Sequence, residues 1–387
     1  MPDHNPRLGR YETRSVMGES VRAYMPPLLP PVPELDMTPR LQALLERATL
    51  ALGRLDGLSA LLPDVSLFIY MYIRKEALLS SQIEGTQSSL TDLLLYENAA
   101  VPGVPLNDVQ EVSRYVAAMT HGLKRLREDF PLSLRLIREI HEVLMCDARG
   151  GDKLPGEFRR SQNWLGGTRP GNAAFVPPPH EAVLDLMSNL EGFFHDDHTP
   201  TLVKAALAHV QFETIHPFLD GNGRTGRLLI TFLLCADSML SEPILYLSLY
   251  FKTHRAQYYD LLQRVRLEGA WEAWLEFFLE GVLETATSAV NATKAILERF
   301  QQDRAQIEGL GRAASSVLRV HHLLERQPFI SIAVASKALT LSTPTVTKAI
   351  AALEHLGIIQ QTVVKQRDRL WVYSSYLALL SQGTDPL

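Results

Sequence analysis

The sequence is poor in cysteine, in long apolar runs and in any excess of one charge. Cys146 and Cys235 are the two thiols in 387 residues, too few for a disulfide framework, and both fall in apolar, helix-like contexts. A reducing compartment is the expectation. No apolar stretch reaches membrane length, and the opening Met1-Pro2-Asp3-His4 begins no apolar signal core. We therefore expect a cytoplasmic protein with no membrane partner. Acidic and basic residues nearly balance, 43 against 38, which excludes a chain-wide attraction to nucleic acid. With 46% hydrophobic residues and no internal repeat, the chain can bury a large core and should divide into two or three domains.

What is present is concentrated between residues 216 and 227: His216, Pro217, Phe218, Leu219, Asp220, Gly221, Asn222, Gly223, Arg224, Thr225, Gly226 and Arg227. Residues 202–212 upstream are helix-forming, and 227–236 downstream are almost continuously apolar at helix length. Gly221-Asn222-Gly223 breaks the pattern between them. Helix, tight loop and buried helix follow, with loop N–H groups gathered at the second helix's N-terminus. That end attracts anions, and glycine permits the positive φ values that let successive N–H groups converge. Arg224 and Arg227 are three residues apart and can face one site, where arginine suits forked contacts with phosphate oxygens. Asp220 is a hard oxygen ligand suited to Mg2+ shared with a phosphate. His216 titrates near neutrality and can take a proton from an incoming hydroxyl. Phe218 reads as a core anchor. An ordinary turn does not need His216, Asp220, Arg224 and Arg227 together, so the implied chemistry is group transfer from a nucleotide. A zinc cluster of His209, Glu213 and His216, at i, i+4 and i+7, is the weaker alternative, because it leaves the phosphate loop unexplained.

The motif is similar to the signature of the Fic family, His-x-Phe-x-Asp/Glu-Gly-Asn-Gly-Arg-x-x-Arg, with every fixed position matched. The resemblance implies transfer of AMP from ATP to a Ser, Thr or Tyr hydroxyl of a target protein, with release of pyrophosphate. It implies His216 as general base, Asp220 on Mg2+, and Gly221, Asn222 and Gly223 around the phosphates. Arg224 and Arg227 would bind the outer phosphates, Arg227 reaching the γ-phosphate. A different donor, another nucleotide or a phosphocholine carrier, stays open within the family.

Residues 74–95 read as a helix interrupted at Gly85, with Ser80 and Glu84 on one face. Alone, this is a surface helix with a glycine cap. Beside the motif, Ser80-x-x-x-Glu84-Gly85 resembles the family's inhibitory sequence, Ser/Thr-x-x-x-Glu-Gly/Asn. The resemblance implies that Glu84 pairs with Arg227, removes a γ-phosphate contact and leaves the α-phosphate misplaced. A misplacement of about 1 Å can slow a reaction about 100-fold. In some family members the same Glu also supports removal of AMP from the target.

Two short extended runs, 162–165 and 174–176, flank a Gly/Pro-rich turn, which is a hairpin signal with an edge-like exit. In the family such a hairpin is a flap that holds the target as an added strand. The fold expected is mainly α: a Fic-type helical bundle with a β-hairpin flap, plus a C-terminal winged helix-turn-helix domain. Helices are expected over 38–54, 67–79, 106–126, 133–144, 180–195, 202–216, 225–236, 253–265 and 270–301. The first 35 residues read as irregular, with a Pro-rich segment lying extended on the surface. Tyr246, Tyr250, Tyr258 and Tyr259 are candidates to line a base pocket, with core packing the alternative. His195-Asp-Asp-His198 reads as a solvated turn.

Beyond residue 305, helices over 313–326, 331–339 and 343–356 precede alternating runs at 358–365 and 369–373. This order resembles a winged helix-turn-helix, with Gly357 as a helix cap. Eight Lys/Arg stand against three Asp/Glu between 311 and 376, which is compatible with phosphate contacts. Fold analogy alone is a weak warrant for function. The domains expected are 1–105 with the inhibitory motif, 106–305 catalytic, and 306–387 winged-helix. Two functions compete. One is an autoinhibited AMP transferase whose partners are ATP, Mg2+, a target protein (itself included) and a second copy in a homodimer. The other is a DNA-binding regulator in which the Fic-like domain serves as a nucleotide sensor or interaction surface. The intact His216 and both arginines favour the first.

Overall fold

The computed structural model describes residues 6–59, 65–97, 106–146, 153–362 and 369–386. The chain opens with a hairpin, β1 (Arg10–Val16) and β2 (Glu19–Met25), paired from Arg10↔Met25 to Val16↔Glu19. This corrects the expectation of an irregular segment over the first 35 residues. Met17 and Gly18 form the turn with φ of 53° and 82°, the hand that two-residue hairpins favour. No Asn-Gly or Asp-Gly marks it, and the outer strand is mostly exposed, so the sequence carries little signal for it. The stretch that follows is not simply laid on the surface either. Leu29 is buried, and Asn189 bonds its N–H at 3.0 Å and its carbonyl at 3.2 Å.

The helical body runs α1 (Pro39–Ser59), α2 (Val65–Ile83), α3 (Leu90–Glu97), α4 (Leu106–Arg127), α5 (Leu134–Met145), α6 (Val183–Phe194), α7 (Thr201–Ile215), α8 (Asn222–Ala236), α9 (Ser248–Thr253), α10 (Arg255–Glu268) and α11 (Trp271–Glu308). A helix with apolar residues on every face, even with a few polar ones among them, must lie at the centre. Accordingly α7 is buried from Leu202 to Ile215, and α8 from Arg224 to Leu234. The two pack against each other, with α4 and α5 against α8, α6 on α7, and α1 along α11. Trp274 of α11 is fully buried and donates its indole N–H to the Ala206 carbonyl at 2.8 Å, so the long helix is fastened to the central one. The helix expected over 253–265 is α10, which starts at Arg255 after His254 parts it from the short α9, and Gly269 caps it with φ 68°.

The remainder forms α12 (Ala314–Arg326), β3 (Phe329–Ser331), α13 (Ile332–Leu339), α14 (Thr343–His355), β4 (Gln360–Gln361), β5 (Leu370–Val372) and α15 (Ser374–Leu380). The strands make an antiparallel sheet in the order β3-β5-β4. Ser331 and Ser342 cap α13 and α14 through their side chains, as helix starts prefer. The three expected helices are present. The expected run at 358–365 pairs at Gln360–Gln361, and residues 363–368 lie outside the described residues. The boundary expected between 305 and 306 falls inside α11. Asp303 explains why that helix continues: it is wholly buried, pairs with Arg299 at 2.5 Å and accepts from the Tyr373 hydroxyl, so it joins α11 to the sheet end. Cys146 also departs from expectation, being an exposed cap at the end of α5 rather than part of an apolar face. Among the described residues, no helix is long and apolar enough to cross a membrane.

Candidate active site

Residues 216–221 connect α7 to α8. His216 ends α7 in a left-handed conformation, φ 50° and ψ 60°, with its N–H on the Phe212 carbonyl at 2.9 Å. Few non-glycine residues hold such a conformation unless their surroundings enforce it. Arg159 does so here. It is buried, and its guanidinium donates to the carbonyls of His216 (2.9 Å), Ser161 (3.2 Å) and Pro178 (2.5 Å). Its own N–H reaches the Pro217 carbonyl at 2.9 Å. Asn163 adds a bond to the Phe218 carbonyl at 3.1 Å.

Asn222 closes the loop from the other side. Its amide donates to the Phe218 carbonyl and accepts the Phe218 N–H, both at 2.9 Å. The side chain is therefore spent on loop shape, and its share in an anion site is its backbone N–H at the start of α8. Phe218 is fully buried, as an anchor should be, and its ring stacks on His141 with centroids 3.6 Å apart. The Gly156 N–H donates to His141 Nδ1 at 2.9 Å, which leaves the proton on Nε2 to donate to the Asp220 carbonyl at 3.0 Å. Burial pushes His141 down to about 4, so this neutral tautomer persists.

Two of the loop glycines lie in close contact with other side chains. Gly221 caps α8 at φ 72°, and a Cβ there would stand 2.7 Å from Met145 Sδ. A Cβ on Gly223 would stand 2.3 Å from Glu84 Oε1. The helix N-terminus thus leaves its N–H groups open to an anion, and the Glu84 carboxylate stands beside it.

The chemical groups converge on that opening. His216 is half-buried, and burial, then Arg266 and Arg159, push its imidazole down to about 3, so the ring is neutral and able to accept a proton. Asp220 keeps a carboxylate 45% exposed, one oxygen of which takes the Gly221 N–H at 2.6 Å. Arg224 is buried with Glu111 2.8 Å away, an ion-pair distance without hydrogen-bond alignment. Arg227 is buried and fully engaged: Nε donates to Ser80 Oγ at 2.8 Å, and Nη2 to the Ser80 carbonyl at 3.0 Å and to Glu84 Oε1 at 2.6 Å. Burial alone would lower its pKa, but Glu84 reverses the sign and raises it. In return, Arg227 holds Glu84 below the usual carboxylate range against the opposing effect of burial. Glu84 follows the last residue of α2, and Gly85 turns the chain away at φ 105°. The sequence expectation that Glu84 pairs with Arg227 is therefore a contact in the structure, and Ser80 is found to join it.

Several residues have roles the sequence did not disclose. Arg159, Asn163 and His141 lie in no motif, and Arg159 is not separable by pattern from its exposed neighbour Arg160. Glu213 is buried under Gly226, its carboxyl pushed up to about 7 by burial, and its Oε1 has no protein partner. The zinc alternative is not supported at His209. Nδ1 donates to the Gly226 carbonyl and Nε2 accepts from the Tyr258 hydroxyl, both at 2.9 Å, so neither nitrogen is free. Tyr258, Tyr246 and Tyr250 are packed in the core, and Tyr259 is exposed.

The expected hairpin is present as a single bridge, Leu165↔Phe175, with an N–H to carbonyl bond of 2.8 Å one way and 3.1 Å the other. It leans on β2: the Tyr24 N–H donates to the Val176 carbonyl at 2.9 Å, and Arg169 pairs with Glu19 at 2.6 Å. Arg266, on α10, stacks 4.0 Å from the Phe175 ring and donates to the Glu213 carbonyl at 3.1 Å.

Residues 42–124 match the Fic/DOC family N-terminal region, and residues 131–234 the Fic/DOC family proper. Among curated proteins, the protein adenylyltransferase Fic of Culex quinquefasciatus is 32% identical over 254 residues, 61% of this chain and 47% of that protein. That of Drosophila erecta is 34% identical over 225 residues, 56% and 42% respectively. The chain thus spans less than half the length of these relatives. Among solved structures, a Fic family protein from Desulfovibrio desulfuricans G20 superposes with a TM-score of 0.58 at 22% identity, covering 87% of this chain and 97% of that one. Fic-1 (residues 134–508) from C. elegans gives 0.50 at 21%, covering 67% and 75%. At those identities the likeness concerns the fold alone. The chain is a Fic/DOC family protein, mainly α and built on the Fic fold, and a distant homologue of the protein adenylyltransferases called Fic.

Proposed function

We propose that this protein is an autoinhibited adenylyltransferase that moves AMP from ATP to a Ser, Thr or Tyr hydroxyl of a target protein and releases pyrophosphate. The observation that carries the proposal is the Glu84–Arg227 pair at 2.6 Å beside an otherwise assembled motif loop. A carboxylate occupies Arg227 where a phosphate oxygen would, so the site's own residues behave as an anion site with an internal anion in it. The half-exposed Asp220 beside that loop fits Mg2+, which would supply charge neutralisation across the phosphates.

In this reading the N–H groups at the start of α8 and Arg224 orient the phosphates, and Arg227 takes the γ-phosphate once Glu84 has left it. The target hydroxyl oxygen bonds to the α-phosphorus, and the bond to the oxygen bridging the α- and β-phosphates breaks. The hydroxyl proton passes to the neutral His216, and pyrophosphate leaves. Arg159 keeps the His216 backbone in position, and the 165–175 hairpin presents the target segment by backbone pairing. With Glu84 in place, Arg227 cannot serve ATP. A reverse reaction, removal of AMP from the target with Glu84 in support, belongs to the same proposal.

Labelling tests it. Wild type, Glu84→Gly and Glu84→Gly/His216→Ala are each incubated in lysate with ATP labelled at the α- or the γ-phosphate. We expect protein-bound label from α-labelled ATP with Glu84→Gly, little with wild type, and none with the double variant. Label from γ-labelled ATP would overturn AMP transfer.

A second reading concerns the C-terminal module. Helix α14 exposes Thr343, Thr347 and Lys348 on one side, as a recognition helix of a winged-helix DNA-binding domain would. A gel shift at two salt concentrations separates the cases, because phosphate contacts weaken steeply with salt.

A further inference from the structure

We infer that the segment 381–385, carried by the C-terminal module, is a latch on the inhibitory turn, so that the module sets how firmly Glu84 is held on Arg227. The inference rests on the autoinhibition just proposed. It begins at Gln82, two residues before Glu84. Gln82 is buried, and its amide nitrogen donates to two carbonyls: Ser88 at 3.0 Å, across the turn between α2 and α3, and Thr384 at 2.9 Å. One side chain thus ties the turn that carries Glu84 both to itself and to a segment some 300 residues away.

Lys252, at the end of α9, makes the second clamp. It is buried and donates to the Gly383 carbonyl at 3.4 Å and to the Asp385 carbonyl. The start of α9 is bound to the inhibitory helix: Ser248 donates its N–H at 3.1 Å, and its hydroxyl, to the buried Glu76 of α2. Segment, α9 and α2 therefore form one closed set of buried bonds around the turn.

The turn depends on this outside support. Within 81–88, three backbone bonds to Ser81 and Gln82 and the Gln82–Ser88 bond shape the turn, while the side-chain oxygens of Ser81, Gln82, Thr86 and Ser88 are buried without a protein partner. Each such orphan oxygen weakens the segment that buries it, and weakly held segments open first. The segment itself is seated by shape: Gly383 has φ +76°, and a Cβ there would stand 2.7 Å from Leu249 Cδ1. Thr384 is buried behind it. Displacement of α15 and the segment, when the C-terminal module engages a ligand or a second copy, removes the Thr384 acceptor and frees the turn.

Gly383 offers the test, since it touches neither the ATP site nor the inhibitory motif. Gly383→Val in the full chain puts a β-branched residue at φ +76° and against Leu249, which strains the segment out of its seat, and Gln82→Leu removes the tie from the other side. Two readings are taken: hydrogen exchange of the amides at 82–88, and label transfer from α-labelled ATP. We expect both variants to lose protection at 82–88 and to raise transfer by about fivefold or more, within the usual range for coupled sites. Neither should add to the rate of Glu84→Gly. If both variants keep wild-type protection and wild-type transfer while Glu84→Gly is active, the latch is wrong and the transferase reading stands. If Glu84→Gly is itself inactive, the transferase reading fails. Exchange then decides alone, with retained protection refuting the latch and lost protection supporting it.

Discussion

His216 acts as a base only if its ring is neutral when the hydroxyl arrives. Burial and two nearby guanidinium groups put its pKa at about 3, far below the ordinary histidine value. Glu84 acts the other way, so its removal moves the value lower still. The kcat/KM profile of Glu84→Gly reports the free enzyme. It should therefore show no acid limb near 6.5, the limb lying below pH 5; a limb at 6.5 would mean an imidazole with ordinary surroundings. Gly221 makes a second residue-scale prediction. Its φ of 72° strains any other residue, and a methyl group there would have to displace Met145 Sδ, 2.7 Å away. Gly221→Ala should lower unfolding stability by about 1–3 kcal/mol and abolish nucleotide binding, as read by chemical denaturation and calorimetry. Glycine, histidine, aspartate and arginine at fixed spacing were legible in the sequence because each acts through a property of its own type. Arg159 and His141 were not, because their roles come from what folding packs around them.

The elements tell the same story at a larger size. Long helices with a steady apolar period, such as α7 and α8, were readable, since burial on every side leaves a continuous apolar run. The hairpin β1–β2 was not: its turn is Met17-Gly18, and its partner is the remote Val176. The 165–175 hairpin was readable as a turn, but its dependence on Arg159 was not. That dependence is testable. Arg159 bonds Pro178 at the hairpin's exit and His216 at the end of α7, so it ties the hairpin to the motif histidine. In the Glu84→Gly background, Arg159→Lys should lower kcat by about 10- to 100-fold, since lysine cannot reach several carbonyls at once. ATP affinity measured by calorimetry should hold. An equal loss in both would reduce Arg159 to a stabiliser of the loop.

Across the whole molecule, three histidines and two buried glutamates contribute to the pH response with opposite signs. His141, His209 and His216 are depressed to about 4, 3 and 3. Their unfolded forms protonate first, so the stability they contribute is present above 6.5 and is lost as pH falls toward 3. Glu76 and Glu213, raised to about 7, act oppositely: their contribution is present below 4.5 and is lost as pH rises through about 7. Between pH 6.5 and 4.5 the two sets oppose. In Glu76→Gln/Glu213→Gln, the melting temperature should fall more steeply over that range than in wild type; an equal slope would show that the carboxyls do not offset the histidines. The link between the C-terminal module and the turn that carries Glu84 was invisible in sequence, because Gln82 and Thr384 are joined only by the fold.

The central claim is that the motif loop is a working transfer site held off by one carboxylate. Intact-mass spectrometry of purified Glu84→Gly after incubation with ATP and Mg2+ tests it most directly, alongside wild type and Glu84→Gly/His216→Ala. A covalent adenylyl group on Glu84→Gly itself or on an added target, largely missing from wild type and missing from the double variant, is the expected result. Equal adenylylation of wild type and Glu84→Gly, or adenylylation that survives His216→Ala, would contradict it.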